Sequence, residues 1–166
     1  MKKTRRLVFL AMTVAVAMVL CFVESQIPAF VAVPGVKVGL ANLAVIFALF
    51  VFGTWEAFAV SLVRVLLVSL LFGNAVGWLY SLSGAVLSLC VMLLLRRVGR
   101  FSVVGISVAG GVAHNIGQIL AAMAVLRTEG VLYYLPPLLL SGVIAGAVIG
   151  IASALLVERV GKYVKL

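Results

Sequence analysis

The chain has 166 residues, of which 66% are hydrophobic and 10% are charged, and its mean hydropathy is +1.36. A soluble domain of this size cannot bury so much apolar surface, so the composition excludes a soluble protein and indicates an integral membrane protein. In a soluble chain the net charge of +9 would suggest nucleic-acid binding, but here the basic residues cluster at the ends of apolar runs, as in membrane proteins.

Six apolar runs predict an all-α fold, a six-helix transmembrane bundle that forms a single domain over residues 1–166. The runs cover residues 7–23, 38–52, 55–71, 78–95, 102–126 and 135–157. Each is near the ~20 residues that cross about 30 Å of hydrocarbon, although the second is short and could be tilted, broken or re-entrant. The first run resembles a signal peptide, but no small-residue cleavage site follows it, so we expect an uncleaved span.

The sequence predicts a multi-pass protein of the cell membrane. The distribution of lysine and arginine predicts that both of its termini are cytoplasmic. Ten of the thirteen basic residues fall on one side of a six-span chain: Lys2, Lys3, Arg5, Arg6, Arg96, Arg97, Arg100, Arg159, Lys162 and Lys165. The opposite side carries Lys37 and Arg127. The first outer loop, from Glu24 to Lys37, is rich in proline and is predicted to be either a lid over a site or a plain connector.

The segment AGGVAHNIGQILAA (residues 109–122) places strongly polar side chains inside the fifth run. Gly110, His114, Gln118 and Ala122 share one helix face at i, i+4 spacing, and Asn115 lies on its shoulder. Such groups are costly in hydrocarbon unless they face a bundle interior or a wet cavity. Two interpretations follow: a polar wall of a ligand site, or interhelical hydrogen bonds that fix helix register.

Arg64 lies nine residues into the third run, too deep to reach the interface easily. It is predicted to anchor an anionic or strongly hydrogen-bonding ligand through its guanidinium fork, or to be a structural tie to carbonyl groups or to Glu24. Asn42, Glu24 and Asn74 are further candidates, because they fall on the same outer half of the membrane as Arg64 and His114. This shared depth predicts an outward-facing cavity. Ser81 and Ser83 are weaker candidates, since helical serines usually bond their own backbone.

Small residues mark two helix contacts. Gly142, Gly146 and Gly150 on the sixth run predict packing within the bundle or, alternatively, an interface between copies of the chain. Ala11 and Ala15 on the first run are a candidate docking motif for a partner subunit.

The chain has no aspartate and no GxxxxGK[ST] motif, so it can build neither an Mg²⁺–diphosphate site of the DDxxD type nor a P-loop. No Ser–His–Asp triad is possible, and the single histidine and two cysteines lack metal-ligand spacing. The sequence therefore predicts a protein that is not an enzyme, with no cofactor and no metal.

Three segments resemble the Gx transporters, a family often labelled heptaprenyl diphosphate synthase component I. They are PGVKVGLANLAVIFALFVFG (residues 34–53), RVLLVSLLFGN (residues 64–74) and GGVAHNIGQ (residues 110–118). The wider pattern is similar to the substrate-binding S components of energy-coupling factor (ECF) vitamin transporters. That resemblance implies a pocket gated by the first loop, and a first helix whose Ala11 and Ala15 dock on a coupling membrane subunit driven by two ABC ATPases.

The main prediction is a membrane subunit of an ECF-type importer that captures a vitamin-like molecule, a flavin or a prenyl or quinone precursor from outside. The first alternative is a non-catalytic membrane accessory subunit for heptaprenyl diphosphate or quinone synthesis. A third possibility is a self-contained oligomeric transporter that uses the glycines of the sixth run as its interface.

Overall fold

The computed structural model describes residues 2–26, 39–72 and 75–164, and these ranges contain helices and no strands. The helices are α1 (Lys2–Gln26), α2 (Asn42–Val51), α3 (Thr54–Phe72), α4 (Ala75–Val98), α5 (Val103–Leu126), α6 (Leu135–Arg159) and α7 (Gly161–Val164). A short 3-10 helix, Glu129–Tyr134, leads into α6. The predicted all-helical class is confirmed, and the apolar runs agree with the helix bounds to within a few residues.

Five of these helices are long and apolar enough to cross a membrane, which confirms a multi-pass membrane protein. The second predicted span is the exception, because α2 has ten residues and extends only about 15 Å at 1.5 Å per residue. Five of its residues are buried, so α2 is a core helix that is apolar on nearly all sides. A count of six crossing helices therefore stays a prediction.

The ends of α5 are set by local side-chain and backbone geometry. At its start the Ser102 Oγ accepts a hydrogen bond from the Gly105 N–H at 3.1 Å, which caps the helix. At its other end Arg127 adopts the left-handed conformation with φ 50°, which stops the helix. These ends fix which turns of α5 lie at mid-bundle depth.

Helix α5 is the centre of the packing and contacts α4 on one side and α6 on the other most extensively. The contact with α6 depends on glycine: a Cβ atom added at Gly111 would lie 2.7 Å from the Gly142 carbonyl oxygen. A Cβ at Gly146 would lie 2.7 Å from the Val108 Cα. The glycines of α6 thus pack inside the bundle, and the prediction that they form an interface between copies is wrong, because α5 already occupies that face.

Helices α1, α2, α4 and α7 bring one end of each to the same basic end of the bundle. The Arg5 guanidinium donates to the Tyr163 carbonyl at 3.3 Å, and Arg6 donates to the Phe52 carbonyl at 3.1 Å and pairs with Glu56. Arg96 stacks over the Phe50 ring. We call this the basic end; its described basic residues are Arg5, Arg6, Arg96, Arg97, Arg100, Arg159 and Lys162. Its cytoplasmic placement remains a prediction from charge.

Candidate functional site: a polar cavity in the bundle

A cavity of about 60 Å³ lies among the first six α-helices, α1 to α6, with Gly39 before α2 and Asn42 at its start also in the lining. Six of the seven residues predicted to bind substrate line it: Glu24, Asn42, Arg64, His114, Asn115 and Gln118. The seventh, Asn74, lies outside the described residues, as do residues 27–37 of the predicted lid, whose first residues, 24–26, belong to α1. A volume of this size holds a few water molecules or the polar group of a ligand.

The cavity extends from mid-bundle toward the end opposite the basic end. Arg64 is ten residues from the start of α3 and His114 is eleven residues from the start of α5, which places both about 15–17 Å from the basic end. Glu24 and Gln118 lie further along their helices, beyond that depth. The described side chains of the predicted set thus lie at or beyond mid-bundle depth from the basic end, and a shared half of the membrane remains a prediction.

Arg64 is the charged group at the bottom of this cavity. It is 8% exposed, and its Nε has no hydrogen-bond partner among the described residues. No described carboxylate forms an ion pair with it, and Glu24 instead accepts a hydrogen bond from the Gly39 N–H at 2.5 Å. The proposed structural tie to Glu24 is therefore not formed. A buried guanidinium with an unpaired Nε is costly, and the described residues supply no acceptor for that nitrogen.

The cavity face of α5 differs from the predicted stripe. It consists of Ser107, Gly111, His114, Asn115 and Gln118. Ser107, Gly111, His114 and Gln118 are separated by steps of four, three and four, with Asn115 beside His114, and this spacing follows the 3.6-residue period more closely than repeated steps of four. Gly110 instead packs against α4, where an added Cβ would lie 2.8 Å from Met92 Cγ, and Ala122 is not part of the lining. Repeated i, i+4 steps drift around the helix, so the two small ends of the stripe leave the cavity wall, and Gly110 provides the close approach of a neighbouring helix.

Asn115 serves helix packing as well as lining the cavity. It is 3% exposed, and its Nδ2 donates to the Leu138 carbonyl of α6 at 2.6 Å. This bond is the register tie between helices that the sequence left open as the alternative to ligand contact. The Nδ2 group of Asn115 is thus engaged by the protein, and the side chains of Arg64, His114 and Gln118 provide the remaining polar wall from α3 and α5.

Serines complete the lining, and the sequence prediction missed two of them. Ser69 and Ser107 line the cavity, and Ser107 is 1% exposed with no hydrogen-bond partner for its Oγ among the described residues. Ser107 precedes His114 by seven residues, two helical turns, so the periodicity of α5 would have found it. Of the weaker candidates, Ser81 lines the cavity, whereas Ser83 donates to the Gly117 carbonyl at 2.8 Å and joins α4 to α5.

The predicted docking motif lies on the outside of the bundle. Ala11 and Ala15 are exposed on α1, whereas Thr13 and Ala17 on the same helix are buried against the rest of the protein. Met12 and Val16, which follow Ala11 and Ala15 in the sequence, are also more than half exposed. The motif is therefore accessible to lipid or to a partner, and docking remains a prediction.

The described residues contain no group of three histidine, cysteine or acidic side chains that could hold a metal ion.

Comparison with known proteins gave one finding and two negative results. A search of curated proteins and a search of solved structures each returned no match. Residues 13–156 match the profile of the family described as heptaprenyl diphosphate synthase component I. This match spans most of the chain, including every helix that lines the cavity, and the chain therefore belongs to the heptaprenyl diphosphate synthase component I family.

Proposed function

We propose that the chain is a non-catalytic membrane subunit that serves heptaprenyl diphosphate synthesis by holding a soluble, catalytic component at the bilayer. The observation that carries this proposal is the family match over residues 13–156. Family membership also agrees with the prediction that the chain is not an enzyme itself, since a sequence without aspartate lacks the carboxylates that hold Mg²⁺ on a diphosphate. A product with a long hydrocarbon tail partitions into the bilayer, so synthesis at the membrane surface is chemically sensible.

The basic end is the surface that we assign to the soluble component. It gathers basic side chains from α1, α4, α6 and α7 in one place, and Arg97 and Arg100 are exposed there. A positive surface attracts an acidic partner and fixes its orientation, although such rim charges affect association rate and specificity more than affinity. In the cytoplasm this surface would also contact anionic lipid headgroups.

A second candidate function is favoured by the cavity: a substrate-binding membrane subunit of an ECF-type importer. The buried guanidinium of Arg64, with an unpaired Nε, supports binding of a ligand with an anionic group. His114, Gln118 and Asn42 would hydrogen-bond the same ligand. In this function Ala11 and Ala15 would dock on a coupling membrane subunit, and two ABC ATPases would supply energy. The cavity's ligand-binding role is common to this candidate and to an accessory subunit that senses or holds a precursor.

The test is to purify the tagged chain gently from its native membrane and identify the associated proteins by mass spectrometry. Co-purification of a prenyl synthase without ATPases supports the accessory subunit, and co-purification of paired ABC ATPases with a coupling subunit overturns it in favour of the importer.

Two sets of variants assign the surface that the partner uses. Charge reversal at the basic end, Arg97→Glu with Arg100→Glu, should weaken synthase association about tenfold, whereas Arg127→Glu at the other end of α5 is the matched control and should have no effect. Ala11→Leu with Ala15→Leu should remove ATPase association and leave synthase association unchanged. Synthase association that survives both sets of changes contradicts docking at the basic end.

A further inference from the structure

An apolar groove runs along the seam between α3 and α4. It has a volume of about 40 Å³, and apart from buried Ser61 its lining residues are apolar. They are Phe58, Leu62 and Val65 of α3 with Leu82, Ala85, Val86 and Leu89 of α4. Three of them also contribute to the outer surface, since Phe58, Leu62 and Val86 are 44%, 37% and 48% exposed. In a bundle surrounded by lipid, the groove therefore faces the hydrocarbon.

The groove adjoins the polar cavity along the seam between α3 and α4. Val65 lines both spaces, and it follows Arg64, which lines the cavity. On the facing helix Ser81 lines the cavity and the next residue, Leu82, lines the groove. Two neighbouring pairs, one on each helix, thus line the cavity with one residue and the groove with the next, so the two spaces adjoin. A molecule lying across this seam would meet a guanidinium at one end and hydrocarbon at the other.

The charge of the cavity restricts the polar end of such a molecule. The described lining holds one guanidinium, Arg64, and one carboxylate, Glu24. A single negative charge on the ligand suits the Arg64 fork. The several negative charges of a diphosphate would repel the Glu24 carboxylate in a site with little water to screen them. Amide and imidazole groups of Gln118 and His114 provide hydrogen bonds to neutral polar atoms of the head.

We propose that the cavity and groove form one site for an amphiphile with a singly charged anionic head and an apolar hydrocarbon tail. The head binds beside Arg64, and the tail lies between α3 and α4, so the ligand enters sideways from the bilayer. This inference rests on the proposal that the Arg64 cavity binds a ligand, and it does not depend on which soluble protein the chain recruits.

The test measures binding to the intact chain in lipid nanodiscs, with probes that separate head from tail. Farnesoate carries one negative charge and an isoprenoid tail, acetate keeps the charge, farnesol keeps the tail, and farnesyl diphosphate raises the charge. We expect farnesoate to bind at least about tenfold more tightly than each of the other three, because only farnesoate satisfies both Arg64 and the groove.

Val86→Phe, at a half-exposed groove position, should weaken farnesoate binding about five- to tenfold by filling the groove. Val63→Phe is the matched control, because Val63 is 39% exposed on α3 and does not line the groove; it should leave binding unchanged. Both variants alter a lipid-facing side chain, so equal melting temperatures are expected, and a loss specific to Val86→Phe reports the groove.

Each contrary result has a distinct meaning. Equal affinity for acetate and farnesoate, or equal losses in the two phenylalanine variants, overturns the tail site. Tighter binding of farnesyl diphosphate or of farnesol than of farnesoate overturns the singly charged head. Failure of every probe to bind overturns the cavity as a ligand site, and association with a synthase, measured by co-purification, would still stand.

Discussion

Arg64 holds a positive charge in a place where no described residue gives its Nε a hydrogen-bond partner. It is 8% exposed, it lines the cavity, and no described carboxylate pairs with it. Such a charge lowers the stability of the empty protein, and the protein recovers that free energy only when an acceptor binds. If the cavity binds an anionic ligand as proposed, the residue that is costly for folding is the one on which that binding depends.

This contrast makes Arg64→Met an informative variant. We expect it to raise the free energy of unfolding of the ligand-free protein by about 1–3 kcal/mol, because a long apolar side chain replaces a buried unpaired charge. The same variant should abolish the stabilisation that a bound anionic ligand gives. Thermal unfolding in detergent, with and without ligand, measures both effects.

Arg64→Lys is the control, since it keeps the charge and loses the planar fork. It should remain as stable as the wild type or less so, and it should bind an anionic ligand weakly. A methionine variant that unfolds more easily than the wild type would mean that Arg64 is a structural tie after all.

Asn115 and Gln118 lie three residues apart on one face of α5 and have different roles. The Asn115 Nδ2 donates a hydrogen bond to the Leu138 carbonyl. Such bonds between membrane helices contribute about 0.6 kcal/mol on average. Gln118 is half-buried on the cavity wall, with no hydrogen bond to another described residue. Residue type alone does not separate these roles, because both side chains carry the same amide group.

Where α5 packs against α6, glycine lets the two helix backbones lie in direct contact. Gly111→Ala should destabilise the protein by about 1–3 kcal/mol, since the new Cβ would lie 2.7 Å from the Gly142 carbonyl oxygen and the helices would have to separate. The free energy of unfolding of the variant in mixed micelles tests this.

Gly105→Ala is the matched control on the same helix. The nearest atom to its added Cβ would be Ser102 Oγ at 3.5 Å, an ordinary contact. Alanine favours a helix over glycine by up to about 1 kcal/mol, so this variant should be neutral or more stable. Equal destabilisation by both substitutions would show that α5 depends on its glycines for a reason other than the α6 contact.

The helices that could be predicted from sequence are those whose apolar runs are as long as a membrane crossing. Five runs became five long helices, because length and hydropathy alone determine such elements in lipid. The run over residues 38–52 became the ten-residue α2, since hydrophobicity does not distinguish a lipid-facing helix from one buried among its neighbours. The 3-10 helix at Glu129–Tyr134 was not predicted, as it carries no apolar period.

The cavity residues were predictable to the extent that their polarity is unusual at their depth. Arg64 and His114 stand out among apolar neighbours, and both line the cavity. Ser107 and Ser69 did not stand out, because serine satisfies its hydroxyl in many helices without any site. The bond between Asn115 and Leu138 could not be read from the sequence, since it depends on which helix lies beside α5.

The molecule as a whole has one basic end and a cavity displaced toward the other end. The positive-inside rule then predicts that the basic end is cytoplasmic and that the cavity belongs to the outer half of the membrane. Single-cysteine labelling tests this directly, after Cys21 and Cys90 are replaced by alanine. A cysteine at Lys162→Cys should react with an impermeant thiol reagent only in opened cells, and one at Arg127→Cys should react in intact cells.

Labelling of both positions from the same side would contradict the bundle itself, because Arg127 lies at the end of α5 that is far from the basic end. Labelling with the sides exchanged would agree with the bundle but place the cavity in the inner half of the membrane, so that a ligand would reach Arg64 from the cytoplasm. The first result concerns the fold, and the second concerns the direction in which the protein works.

The polar face of α5 also has a consequence for how the protein is made. Of the five long apolar helices, α5 has the lowest hydropathy, and its histidine and amide side chains face inward only because α4 and α6 cover it. During synthesis α5 reaches the insertion machinery after α4 but before α6. Until α6 arrives, Asn115 has no Leu138 carbonyl to bond, and Gly111 has no Gly142 backbone to pack against. The features that form the cavity thus make stable insertion of α5 depend on the helix that follows it.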